Sequence, residues 1–212
     1  MISSNRTRWF AFAAALGAAA LGASGTQADN SPLPKGDLLA VWKIHQIDFT
    51  YNSPNIRYAC ESFEKRITAI MQALGAYSRM AVEVRDCKRQ EQRSNADIRL
   101  YIAMPAEATE ENVRAAVDFD SREELVARLR EEQLPTINDV KRFPATWRTV
   151  TLSNSAPAKL VAGDCDLMRV MRDQVFPKLN LRVVGSGMNC GAGPDTRIQP
   201  KMRVHALMPA RT

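Results

Sequence analysis

Ile98-Arg-Leu-Tyr-Ile-Ala-Met-Pro-Ala106 has a counterpart near the end of the chain, Met202-Arg-Val-His-Ala-Leu-Met-Pro-Ala210. Both stretches alternate apolar and polar side chains, and both close on Met-Pro-Ala. Alternation of this kind marks a strand with one buried face, because successive side chains leave opposite sides of the pleat. Ile98, Leu100, Ile102 and Met104 then share one side against Arg99 and Tyr101. Met202, Val204, Ala206 and Met208 likewise stand against Arg203 and His205. Two strands of one design at corresponding places raise the question of what precedes each of them.

Setting Cys60 on Cys165 brings Phe63, Ile70, Met71 and Leu74 onto Met168, Val175, Phe176 and Leu179, apolar positions at helical spacing. A short β-rich stretch follows in each half, Met80 to Val84 and Leu181 to Val184, and each leads to a second cysteine. The intervals are C-x26-C for Cys60 and Cys87 and C-x24-C for Cys165 and Cys190. Upstream of each helix lies a further strand, Ile44 to Tyr51 in one half and Thr146 to Leu152 in the other. Each half therefore reads β-α-β-β. The expected fold class is α+β: two β-α-β-β repeats forming a mixed sheet with helices mainly on one face.

The halves are joined by a charged connector. Ser121-Arg-Glu-Glu124 has the pattern of a capping box, with Ser121 as the cap of a helix striped by Leu125, Val126 and Leu129 and ending before Pro135. Val113, Ala115, Val117 and Phe119 alternate and predict an edge strand. Asp164 stands where the N-cap of the helix opening at Cys165 belongs.

Four cysteines allow three connectivities. In a β-α-β unit the second strand runs back along the helix, so a cysteine that opens the helix and one that closes the strand finish at the same end of the layer. That geometry predicts Cys60 with Cys87 and Cys165 with Cys190. The competing role, a thiolate at a helix N-terminus, lacks a C-x-x-C partner.

At the N-terminus, Arg6 and Arg8 precede an apolar run from Trp9 to Leu21, and no acidic residue appears until Asp29. A basic start, a short apolar stretch and small residues at Ala23 to Ala28 have the form of a Sec-type signal peptide over residues 1–28. The run is shorter than a bilayer-spanning helix needs. Residues 29–36 are expected to be flexible and 37–212 to form a single domain, with repeats over 43–106 and 144–212 and the connector over 107–143. Loss of the leader removes two arginines and lowers the formal charge from +6 to +4. Acids interrupt the basic residues throughout, as in Arg122-Glu123-Glu124, which argues against a nucleic-acid track.

No nucleophile elbow, zinc-binding helix motif or phosphate loop is present. The only two histidines, His45 and His205, have no metal-ligand spacing, so neither metal nor other cofactor is expected. If the two closing strands approach each other, Arg99, Tyr101, Arg203 and His205 would gather on the sheet face away from the helices. Two arginines with a tyrosine and a histidine suit a carboxylate, a phosphate or an acidic protein surface.

The stretch from Phe49 to Cys87, with Tyr58-Ala-Cys60 opening a helix, Ala73-Leu-Gly-Ala76 closing it and Val82-x-Val84-x-x-Cys87 after it, resembles an uncharacterised family of exported proteobacterial proteins. Gly163-Asp-Cys165, Arg172-Asp-Gln-Val175 and Pro177-Lys-Leu179 look similar too, so the resemblance covers most of the chain after the leader. It implies a periplasmic location and brings no activity, cofactor or catalytic residue. The expected function is a non-enzymatic periplasmic module for an unknown protein or a small anionic ligand of the cell envelope. A hydrolase-like enzyme working near Tyr101 and His205 and a structural envelope protein are the alternatives.

Overall fold

The computed structural model describes residues 36–54, 56–88, 91–119, 121–185, 188–190 and 199–210. The expected leader and nearly all of the expected flexible segment lie outside them. The chain begins with a long strand, β1 (Leu38–Asn52), and continues through β2 (Tyr58–Ala59), α1 (Cys60–Ala73), β3 (Ala81–Val84), β4 (Gln92–Arg93) and β5 (Asn95–Glu107). After α2 (Glu110–Ala115) and α3 (Ser121–Leu129) come β6 (Phe143–Leu152), α4 (Cys165–Val170), β7 (Arg182–Val183) and β8 (Met202–Pro209). The fold is α+β.

Six strands form one sheet in the order β3-β5-β1-β6-β8-β7, and β2 pairs with β4 apart from it. Every pairing is antiparallel, which corrects the expected mixed sheet. The helix does return the chain so that β3 runs in the direction of β1. The closing strand β5 then inserts between the two, and each of its contacts becomes antiparallel. The second half does the same, with β8 between β6 and β7. The helices differ: α1 is continuous over 14 residues, whereas α4 passes into a π turn at Met171–Val175 and a 3-10 turn at Phe176–Leu179. Pro177 accounts for the break, since it has no N–H to donate to the preceding turn.

Three further expectations change. Val113 to Phe119 is no edge strand: Thr109 caps α2 by accepting the Asn112 amide at 3.2 Å, and Val113 is buried from the helix. Ser121 is the first residue of α3 and not the cap before it. Asp164 occupies the N-cap position of α4 as expected, but its side chain makes no cap hydrogen bond, because its carboxylate is engaged elsewhere.

Cys60 pairs with Cys87 and Cys165 with Cys190, at Cα separations of 6.0 and 5.9 Å. Each bond joins the start of a helix to the segment beyond the following strand, as the geometric argument expects.

The larger of two hydrophobic clusters serves both halves. Ile47, Phe49, Ile98 and Leu100 of the first half meet Leu152, Met202 and Val204 of the second, with Phe63 and Ile67 of α1 and Leu167 and Met171 among the residues between them. Among the described residues the sheet joins the halves through three residue pairs, Leu38 with Ala145, Leu39 with Pro144 and Ala40 with Phe143. Polar contacts do the rest. Asp164, fully buried, accepts the Tyr58 hydroxyl at 2.6 Å and the Val161 amide at 2.7 Å, and lies 3.5 Å from Arg66 of α1. The Ser53 hydroxyl meets Asp166 at 2.5 Å, and the Gln174 side-chain amide both donates to and accepts from the backbone of Thr50.

Candidate functional site

The four residues singled out from the closing strands do not form one constellation. β5 and β8 are separated in the sheet by β1 and β6. Arg99 is held by Asp48 at 2.9 Å, and Arg85 binds the same carboxylate oxygen at 2.7 Å, so the two guanidinium groups share one negative charge. Tyr101 lines an open groove on its side of the sheet. His205, only 8% exposed, lines a different cavity between the two halves, and Arg203 lines neither.

The groove has a volume of about 1190 Å³ and an aromatic floor. Trp42 of β1 stands edge-on to Tyr77 with ring centroids 5.1 Å apart and tilts against Phe143 at 4.8 Å. Register explains the arrangement: Trp42 and Ile44 occupy the side of β1 opposite Ile47, Phe49 and Tyr51, and the Ala40 to Phe143 pairing carries β6 in beside them. Tyr77 is fixed where its backbone amide donates to the Ala103 carbonyl of β5 at 3.0 Å. Ile44 is 78% exposed, Tyr77 43% and Tyr101 38%. Arg79, Lys141 and Arg142 also line the groove, and its described lining contains no carboxylate.

The second cavity is smaller, about 480 Å³, and polar. His45 of β1 and His205 of β8 both line it, far apart in sequence. Lys43 lies two residues before His45 and donates to Asn112 of α2 at 3.0 Å; Trp147 of β6 donates its indole N–H to Glu107 at 2.9 Å. Burial, and then the nearby Lys43 ammonium, lower the pKa of His45 from its usual 6.5. Across the strands His205 pairs with Thr149 of β6 and with Arg182 of β7.

Comparison with protein-family models, with curated proteins and with solved structures found no match to this chain. The site is therefore read from its own geometry. Among the described residues no cluster of three or more His, Cys, Asp or Glu is placed to hold a metal ion, and no helix is long and apolar enough to cross a membrane.

Sequence reasoning reached Tyr101 and His205 but missed Trp42, Ile44, Tyr77 and Phe143. One signal was there to read. The apolar residues of β1 change phase, with Trp42 and Ile44 on even positions and Ile47, Phe49 and Tyr51 on odd ones. A strand that is apolar on both sides needs a second cover for one of them. The meeting of Trp42 with Phe143 had no sequence signal, since it depends on which strand lies beside β1.

Proposed function

We propose that this protein is an exported, non-catalytic binding module whose aromatic groove docks an acidic amphipathic segment of a partner protein in the cell envelope. The observation that carries the reading is a groove combining exposed Tyr and Ile side chains and a half-buried Trp with three cations and no described carboxylate. Tryptophan, tyrosine and arginine are the residues that dominate binding energy at protein interfaces, while lysine and acids are thinned from interface cores. A small ligand gains affinity by being enclosed over most of its surface, and a groove with Ile44 this open encloses little. A chain segment lying along it covers the aromatic floor and places acids beside Arg79, Lys141 and Arg142. The two disulfides fit an oxidising compartment.

The hydrolase-like alternative needs Tyr101 and His205 to converge, and these residues line separate cavities. A structural role through self-association competes for the same apolar groove, and the oligomeric state separates it.

The test is titration with a fluorescent peptide of alternating Leu and Glu and with its Leu and Lys analogue. The acidic peptide binds, and raising the salt weakens it. Trp42→Ala lowers its affinity about 30-fold, the size of an interface hot spot, and Lys141→Glu with Arg142→Glu, a surface change, abolishes the preference for acid. Equal binding of both peptides, or acidic binding indifferent to the charge reversal, overturns the reading. A concentration-dependent dimer in sedimentation that Ile44→Asp dissolves assigns the groove to a second copy instead.

A further inference from the structure

The smaller cavity is built from seven elements and collects six titratable side chains. Lys43 and His45 come from β1, Glu107 from β5, Lys178 from the 3-10 turn after α4, Arg182 from β7 and His205 from β8. β6 contributes Trp147 and α2 contributes Asn112, neither of which titrates. Three permanent cations thus face one carboxylate, and that carboxylate already accepts the Trp147 indole N–H. Lys43 gives one of its three donors to Asn112, and Lys178 gives one to the Asp48 carbonyl at 3.3 Å, so both ammonium groups retain donors. The cavity's volume of about 480 Å³ falls within the span of small-molecule sites, about 300–1,000 Å³.

Charge of one sign focused in a concave, partly dry site attracts the opposite charge strongly. We infer that this cavity binds a small oxyanion bearing two or more negative charges, a phosphorylated or polycarboxylate metabolite, and that His45 and His205 add to its hold when protonated. The cations define the class: Lys43, Lys178 and Arg182 reach the cavity from three elements, and a polyanion engages more than one of them where a monoanion does not. The histidines define the condition. His45 resists protonation because it is half-buried beside Lys43, and a bound anion lowers the cost of charging it. The site is independent of the aromatic groove and stands or falls without it.

Calorimetric titration with pyrophosphate, citrate and acetate tests the inference on the full chain after the leader. At pH 6 at least one of the two polyanions binds with submillimolar affinity, acetate does not, and the polyanion affinity falls at least tenfold by pH 8. Pyrophosphate alone marks a phosphate ligand, citrate alone a polycarboxylate. Lys178→Gln with Arg182→Gln alters two exposed residues and lowers the affinity tenfold or more, whereas Lys65→Gln, at an exposed residue of α1 outside the cavity lining, leaves it unchanged. With two histidines in the chain, imidazole NMR gives a direct reading: the bound polyanion shifts both rings and moves the His45 titration to higher pH. The inference is overturned if neither polyanion binds more tightly than acetate, if the double variant binds as well as the wild type, or if both imidazole signals are unmoved.

Discussion

At the scale of single residues, Asp164 is the side chain on which most depends. A fully buried carboxylate is costly unless each oxygen is answered, and here Tyr58, the Val161 amide and Arg66 answer it. The Tyr58 hydroxyl is in turn held neutral far into the alkaline range, by burial first and then by the adjacent Asp164 charge. Removing one partner of such a buried set leaves the others unpaired, so Asp164→Ala should lower the unfolding free energy by about 3 kcal/mol or more. Tyr58→Phe, which removes one hydrogen bond, should lower it by about 1 kcal/mol. Urea titration of both variants decides the point, and an Asp164→Ala loss no larger than that of Tyr58→Phe would show the carboxylate to be solvated after all. His45 gives a second prediction, with a definite sign. Its folded pKa lies below 6.5, so on acidification the unfolded chain takes up the proton first. The stability owed to the neutral ring is complete above pH 6.5 and is lost as the pH falls from there through the lower folded value. In a buffer free of multivalent anions, His45→Gln should lose less stability between pH 7.5 and pH 5 than the wild type does. Equal losses would place the ring in ordinary solvent. Asp164 also shows how sequence reading stops short: a cap before Cys165 was a sound local inference, but Tyr58 lies over 100 positions away in the chain and offers a better hydrogen bond.

At the scale of elements, the strands and helices were largely legible because their signals are local. Alternation marked β5 and β8, helical spacing marked α1, and the cysteines marked where each helix begins. The edge strand over Val113 to Phe119 failed because four alternating positions are a weak signal beside a Thr109 cap followed by two acids, and the cap prevailed. Gly75 shows an element junction whose demand is readable only in part. It follows α1 with φ of +90°, a conformation that glycine adopts freely, and a Cβ there would lie 2.7 Å from the Met208 sulfur of β8. Gly75→Ala should therefore cost about 1–2 kcal/mol from the backbone alone, read as a lowered urea midpoint with an unchanged slope. A midpoint equal to the wild type would mean that the turn relaxes freely. The disulfides act on the unfolded chain. Closing a loop of the length between Cys165 and Cys190 is worth about 3–4 kcal/mol in the chain-entropy account, and the variant with both residues changed to Ser should lose about that much. Loss of well under 1 kcal/mol would show the bond to be incidental to folding.

At the scale of the whole molecule, the two halves lay out their strands in corresponding order yet share one core. Leu152, Met202 and Val204 pack in the same cluster as Phe49 and Leu100, and α1 reaches the second half through Arg66, which donates to the Lys159 carbonyl at 2.7 Å. Neither half has a complete apolar interior of its own. A chain ending after residue 109 should give no cooperative thermal transition, while the full chain should give one, measured by calorimetry; a sharp transition in the fragment would make each half a folding unit. The sequence by itself determined the α+β class, the positions of the principal strands and helices and the pairing of the cysteines, because period, spacing and chain direction are properties of near neighbours along the chain. Only the tertiary structure decided that the sheet is antiparallel throughout, that Tyr101 and His205 belong to different cavities, and that Trp42 meets Phe143 while His45 meets the surroundings of His205. Those outcomes follow from which strand inserts beside which, and that is set by burying one shared core, an interaction between residues that no local pattern relates.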